Sequence, residues 1–211
     1  MYRRSLAQLA LVLLLLSSGG CGFKETIRGQ PTSGLDRKLS TFAYIEEGDL
    51  MTLIVDINAT RYREGSPYMP LEIAIANRGL RQIVLTRESF TLLDREGNRY
   101  PAASPTELIE NYEFLDLDRN QMAEIPGIVF NKFAAMQQYP SRFSPMRTAK
   151  VFENNVVRDL VSVPKHGYII DFIYFPTPPT GIEGQTFELF VDSESLEDPV
   201  FVKFEVPARR R

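Results

Sequence analysis

Apolar residues recur at every second position through much of this chain, and that alternation limits what it can fold into. Met51, Leu53, Val55 and Ile57 alternate with Thr52, Ile54, Asp56 and Asn58. Successive strand side chains point to opposite faces, so this stretch forms a strand with one mostly apolar face. Leu71, Ile73 and Ile75 alternate with Glu72, Ala74 and Ala76 before Asn77-Arg78-Gly79 breaks the chain. Ile83 to Leu85 is a short strand, and Phe90 to Asp94 is followed by the turn Arg95-Glu96-Gly97-Asn98 and by Arg99-Tyr100. Late in the chain the pattern returns at Phe187, Leu189 and Val191, and again at Val200, Val202, Phe204 and Val206. Tyr168 to Phe175 is nearly all apolar, with Asp171 the exception. A strand of that kind is covered on both faces, which predicts a central position. Short strands separated by polar turns predict a mainly β protein, an antiparallel sandwich.

The segment at about 104–160 reads differently. Ser104-Pro105-Thr106-Glu107 has Ser at a helix cap, Pro at the first helical position and Glu at the third. Leu108, Tyr112 and Leu115 then share a face. A second helix is predicted over Ile128 to Gln138, ending before Pro140, and Phe152, Val156 and Leu160 mark a third. This is a helical insertion packed across the sandwich, and it supplies the cover that the outer face of Tyr168–Phe175 needs.

The start of the sequence concerns location. Tyr2-Arg3-Arg4 is followed by the apolar run Leu6 to Leu16, then Ser17-Ser18-Gly19-Gly20 and Cys21. These eleven residues, apolar but for Gln8, are too few to span a bilayer, which takes roughly 20, but suit the core of a signal peptide. The arrangement resembles the signal of bacterial lipoproteins, in which the cysteine is lipidated and the leader then removed. One departure is Ser18, where that family usually carries Leu three residues before the cysteine. Ser18-Gly19-Gly20 also fits an ordinary secretory cleavage site, Arg3-Arg4 is a faint twin-arginine feature, and an uncleaved anchor is a further alternative. The expected organisation is a signal peptide at 1–20, a lipidated flexible tether at 21–41, and a sandwich domain at 42–211. A flexible tether of about 20 residues reaches roughly 25 Å. The resemblance implies a membrane partner through lipid on Cys21. Gly22, in place of the Asp that retains such proteins at the inner membrane, favours the outer membrane.

Cys21 is the sole cysteine, so no disulfide forms within the chain and the fold depends on its core. The formal net charge is −3, and loss of Arg3 and Arg4 with the leader makes it more negative. That balance argues against nucleic acid as a partner, which would need a clustered basic face. Arg209-Arg210-Arg211 is the one basic run and reads as a solvated tail with at most weak attraction to an anionic membrane.

Two stretches carry a second resemblance. Glu72 to Gly79 is followed by Ser89-Phe90-Thr91-Leu92-Leu93-Asp94, Gly97 and Tyr100, and Phe201 to Pro207 lies near the end. Together they resemble the telokin-like, immunoglobulin-like extracellular domains of bacterial lipoproteins. The resemblance implies an antiparallel immunoglobulin-like β-sandwich and a non-catalytic envelope domain. The helical insertion departs from the simple form of that family.

Chemistry-bearing residues are sparse. His166, the only histidine, lies in the turn Pro164-Lys165-His166-Gly167, and no Gly-x-Ser-x-Gly elbow exists to give it a serine partner. Asp116-x-Asp118-x-Asn120 opens like a calcium loop, but Gln121 and Gly127 stand where Gly and Glu are required. It reads as a solvated helix end. Glu107, Glu110 and Glu113 form helix-face pairs that read as surface. Asp171 interrupts an apolar strand and must find a partner, with an Arg the expected one. Phe175, Pro176, Pro178 and Pro179 flank a stiff loop and form a candidate recognition surface. No catalytic residue, metal ligand or cofactor follows from the sequence. The leading expectation is a non-catalytic binding or assembly module for an envelope protein, through exposed strand edges, the proline loop and the insertion. The alternatives are a carrier of a lipid or small apolar ligand between sandwich and insertion, and a carboxylate-based hydrolase.

Overall fold

The computed structural model describes residues 38–147 and 157–208. Cys21, the expected tether up to residue 37, and Phe152 and Val156 of the third expected helix lie outside the described residues. In chain order the elements are β1 (Ala43–Glu47), β2 (Met51–Asp56), β3 (Tyr68–Asn77), β4 (Gln82–Leu85), β5 (Phe90–Asp94) and β6 (Arg99–Pro101). Three helices follow, α1 (Pro105–Asn111), α2 (Leu115–Gln121) and α3 (Ile125–Lys132). The chain then forms β7 (Gln137–Gln138), β8 (Val161–Pro164), β9 (Gly167–Pro176), β10 (Thr186–Val191) and β11 (Val200–Glu205).

The protein is mainly β. One sheet has the order β1-β2-β3-β9-β7, a second β11-β10-β5-β6, and β4 pairs with β8 in a two-stranded ribbon. All pairings between these strands are antiparallel except β7 with β9. The alternation seen in the sequence sorts the faces. Leu53 and Val55 of β2, Ile73 and Ile75 of β3 and Ile173 of β9 share one core with Leu92 of β5, Leu189 of β10 and Val202 of β11. Each of these eight side chains is at most 2% exposed, and burial of such a residue stabilises the fold by about 1.5–3 kcal/mol.

The helices cover the opposite face of the first sheet. Ile54, Ala74 and Ala76 pack against Ile125, Val129 and Phe133 of α3 and the residue after it. The small Ala74 and Ala76 side chains let α3 lie close to the sheet. Tyr68, Phe172 and Tyr174 pack against Leu108, Tyr112 and Leu115. Tyr112 meets the rings of Tyr68 and Tyr174 edge-on at 5.9 and 5.3 Å, a geometry aromatic pairs favour.

The expected first helix forms with its cap. Ser104 Oγ accepts the Glu107 N–H at 3.2 Å, and Glu107 accepts the Ser104 N–H at 2.8 Å. The second helix is displaced from expectation: it runs over Ile125–Lys132, with Pro126 in its first turn, where no amide donor is needed. The chain then leaves to make β7. Phe133 and Met136 continue the helical pattern in the sequence but pack from turn and bend backbone.

β9 is covered on both faces and pairs along its length with β3, yet its neighbour on the other side, β7, is only two residues long. Beyond its short pairing with β7, its edge is closed by side chains. Ser141 Oγ donates to the Ile170 carbonyl at 3.0 Å, and Ser144 Oγ donates to that of Phe172 at 2.8 Å. An unbroken apolar run reports burial of two faces, not the length of the neighbouring ladders.

Candidate binding cleft

Alongside the seat of α3, the outer face of β9 is left partly open. A cleft of about 530 Å³ lies there, with Val129, Phe130, Phe133, Met136, Ile170 and Phe172 among its apolar walls. Phe130 projects from α3 at 77% exposure, the highest of any large apolar side chain among the described residues. Three charged residues, Glu72, Arg119 and Asp171, also line it.

The polar groups are placed by the sheet. Asp171 replaces an apolar residue opposite Ile73 in the β3–β9 register. Its carboxylate, 2% exposed as a residue, accepts from Arg119 Nη2 at 2.7 Å, the Phe143 N–H at 2.7 Å and the Phe172 N–H at 2.8 Å. The arginine expected for Asp171 is therefore Arg119, from α2. Arg119 Nη2 also donates to the Ser144 carbonyl at 3.2 Å, while its buried Nε has no hydrogen-bond partner among the described residues.

Glu72 holds the start of α3. One of its oxygens accepts the N–H groups of Glu124 and Ile125 at 2.7 and 2.9 Å, two donors that a helix start leaves free. Directly opposite Glu72 in the β2–β3 register stands Asp56. Both residues are 2% exposed. Asp56 Oδ1 accepts the Asn58 N–H at 2.8 Å, and Oδ2 has no partner among the described residues. Burial raises the Asp56 carboxyl from 3.8 to about 7; Glu124 adds to the rise, and the Asn58 hydrogen bond and Arg61 oppose it. Burial likewise raises Glu72 from 4.5 to about 7, against its two backbone hydrogen bonds and with the help of Asp56 and Glu124.

A second buried cluster fixes α1 and α2. Asp118, fully buried, pairs with Arg63 and accepts the Tyr112 hydroxyl at 2.6 Å, and Arg63 Nε donates to that same hydroxyl at 3.1 Å. Burial raises the Asp118 carboxyl although Tyr112 and Arg63 oppose the rise. The supposed solvated helix end is thus an internal ion pair. Asp116 accepts the Arg147 N–H at 2.9 Å, and Asn120 is exposed, so the three residues do not converge. Among the described residues no group of three metal-ligating side chains gathers.

The remaining sequence candidates are dispersed. Phe175 is fully buried in the core and Pro178 is buried, while Pro176 is half-buried and Pro179 exposed. Glu107, Glu110 and Glu113 are exposed. His166 is exposed in its turn, with φ of 60°, and its N–H donates to the Asn77 carbonyl at 2.8 Å. Apart from Asp171, the sequence alone does not single out the acids in and beside the cleft. Glu72 and Asp56 lie on the polar face of alternating strands, where a charged residue is ordinarily solvated. Only their opposition, 16 residues apart and beneath α3, distinguishes them.

No family model matches this chain, and no curated protein matches it. A solved structure with some likeness is a crystal structure from Bacillus subtilis subsp. subtilis str. 168 described as "a putative lipoprotein (ycdA)". The two are 12% identical with a TM-score of 0.39, over 76% of this chain and 38% of that one. This chain thus spans less than half the length of that protein. No helix among the described residues is long and apolar enough to cross a membrane.

Proposed function

We propose that this chain is a cell-envelope lipoprotein, anchored through lipid on Cys21, whose folded domain is a non-catalytic binding module that engages an envelope protein at the cleft beside α3. The immunoglobulin-like reading of its two sheets and the preference for the outer membrane belong to the same proposal. The observation that carries the binding role is Phe130, held 77% exposed on a short helix at the rim of a 530 Å³ cleft. Exposed aromatic anchors beside a pocket are what partners bury at the centre of an interface. Strand addition has less to offer at two of the sheet edges: the β9 edge is closed by Ser141 and Ser144, and β6 is three residues long and ends in Pro101.

A second reading, a small apolar ligand in the same cleft, is favoured by the volume, which falls within the roughly 300–1,000 Å³ usual for such sites. A hydrolase is disfavoured by the use the cleft makes of its acids. Both acids, Glu72 and Asp171, are 2% exposed; Asp171 has both carboxylate oxygens in hydrogen bonds, and Glu72 spends one oxygen on the two N–H groups at the start of α3, so both are committed to holding structure.

Anchorage is tested by expressing the full-length chain with an alkyne-tagged fatty acid and fractionating the envelope. The wild type is expected to carry the label and sediment with membranes. Cys21→Ser is expected to lose the label and appear in the soluble fraction. A label that persists in Cys21→Ser, or an unlabelled wild type, would overturn the anchor.

A further inference from the structure

The acid pair beneath α3 does more than seat a helix. Asp56 and Glu72 face each other on adjacent antiparallel strands, where opposed Cβ atoms stand about 4.5–5.5 Å apart. Each is 2% exposed, and neither has an ion-pair partner among the described residues. Two buried carboxylates opposed on neighbouring strands cannot both be ionised without large cost, so the pair retains a proton. Glu72 accepts two backbone N–H bonds and is the better site for the negative charge. Asp56 Oδ2, buried and otherwise unpartnered among the described residues, is the place for the proton.

The charged groups around the pair come from every neighbouring element. Glu124 approaches from the start of α3, fixed by Asn58 Nδ2 at 3.2 Å, and adds a third negative charge. Arg61, in the turn after β2, opposes it by favouring ionised Asp56. On the cleft side of Glu72, Arg119 is matched by Asp171 at 2.7 Å. Removing the Asp56 proton therefore leaves two buried carboxylates and Glu124 close together, with Arg61 the cation that offsets them. What yields is the contact that is least covalently constrained, the docking of α3 on the sheet.

We propose that the Asp56–Glu72 pair is a proton-operated latch that holds α3 seated while it carries its proton and releases it on deprotonation, so that pH controls the shape of the cleft. α3 supplies the cleft's Val129 and Phe130 walls, and Phe133 follows it directly, so unseating the helix dismantles one side of the site. Ile125 and Val129 lose their cover over Ile54, Ala74 and Ala76 in that step. The latch rests on the reading of the cleft as the binding site. Its test uses no ligand, so failure to find an occupant and failure of the latch are separate results.

Hydrogen–deuterium exchange of the full mature chain, carrying Cys21→Ser to keep it soluble, reads the seating of α3 directly. Rates are corrected for the intrinsic pH dependence of amide exchange. The α3 amides are expected to lose at least tenfold in protection between pH 5.5 and pH 8.5, while β10 and β11 hold theirs. Asp56→Asn, neutral at every pH and of the same shape as the protonated acid, is expected to keep α3 protected at pH 8.5. Glu72→Gln serves as a second variant that also removes the dyad. Protection of α3 that is unchanged across this range, or a pH response that persists in the folded variants, would overturn the latch.

Discussion

At the scale of single residues, the buried ion pair between Arg63 and Asp118 organises the insertion more than any apolar contact suggests. Asp118 is fully buried and Arg63 is 5% exposed, and Tyr112 closes the triangle through its hydroxyl. A buried pair of this kind adds little net stability against an apolar replacement, but removing one member strands the other. Arg63→Ala is therefore expected to cost about 3–5 kcal/mol, read as a lower urea midpoint. An Arg63→Ala loss within about 0.5 kcal/mol would show that Asp118 is solvated after all. None of this was legible in the sequence. The partners lie 55 positions apart, and Asp118 sits in an Asp-x-Asp-x-Asn stretch that belongs, by pattern alone, at a wet helix end. Asp171 was more readable, because a lone acid inside an apolar strand demands compensation wherever its partner lies.

Among the elements, strands were more legible than helices. The alternating stretches became β2, β3, β5, β10 and β11 because the apolar face of each packs into the core between the sheets, and that burial fixes register. Helix α1 was readable from its capping residues. Helix α2 was hidden in polar sequence, and the end of α3 was misplaced because Phe133 and Met136 keep a helical spacing while the backbone turns toward β7. The pH response belongs at this scale, since it is a property of β2, β3 and α3 together. Asp56 and Glu72 are each raised to about 7 by burial, well above their ordinary values near 4. Between about pH 4 and pH 7 the folded state then binds more protons than the unfolded state, so stability falls as pH rises and the contribution is lost above about 7. Urea unfolding is expected to give a stability at pH 5 exceeding that at pH 8 by roughly 2–3 kcal/mol, because the one proton that the folded pair keeps is worth about 1.4 kcal/mol per pH unit over about two units. Asp56→Asn should flatten the difference. Equal stability at the two pH values would contradict the raised values.

For the molecule as a whole, two sheets share one apolar core, and the chain places its helices on the opposite face of only the first sheet. That asymmetry creates the cleft. A helix of eight residues is too short to cover all of β9, so Phe130, Phe133 and Ile170 frame an opening where a longer helix would have closed it. The mainly β character was legible because it is written in local alternation. The cleft was not, because it depends on where α3 stops and on residues brought together from β3, β9 and two helices. The proline loop drew attention in the sequence through its stiffness, yet its most apolar member, Phe175, faces the core.

The central claim is that an envelope protein is engaged at the α3 cleft. The most direct measurement replaces Phe130 by a photo-crosslinking phenylalanine in the full-length, anchored protein in its native envelope, with the same replacement at exposed Glu197 as the control. A discrete crosslinked protein at position 130, absent at 197 and lost when Met136→Glu charges the cleft in an otherwise folded chain, is the predicted result. Crosslinks at 130 that match those at 197, or that survive the charged cleft, would contradict it.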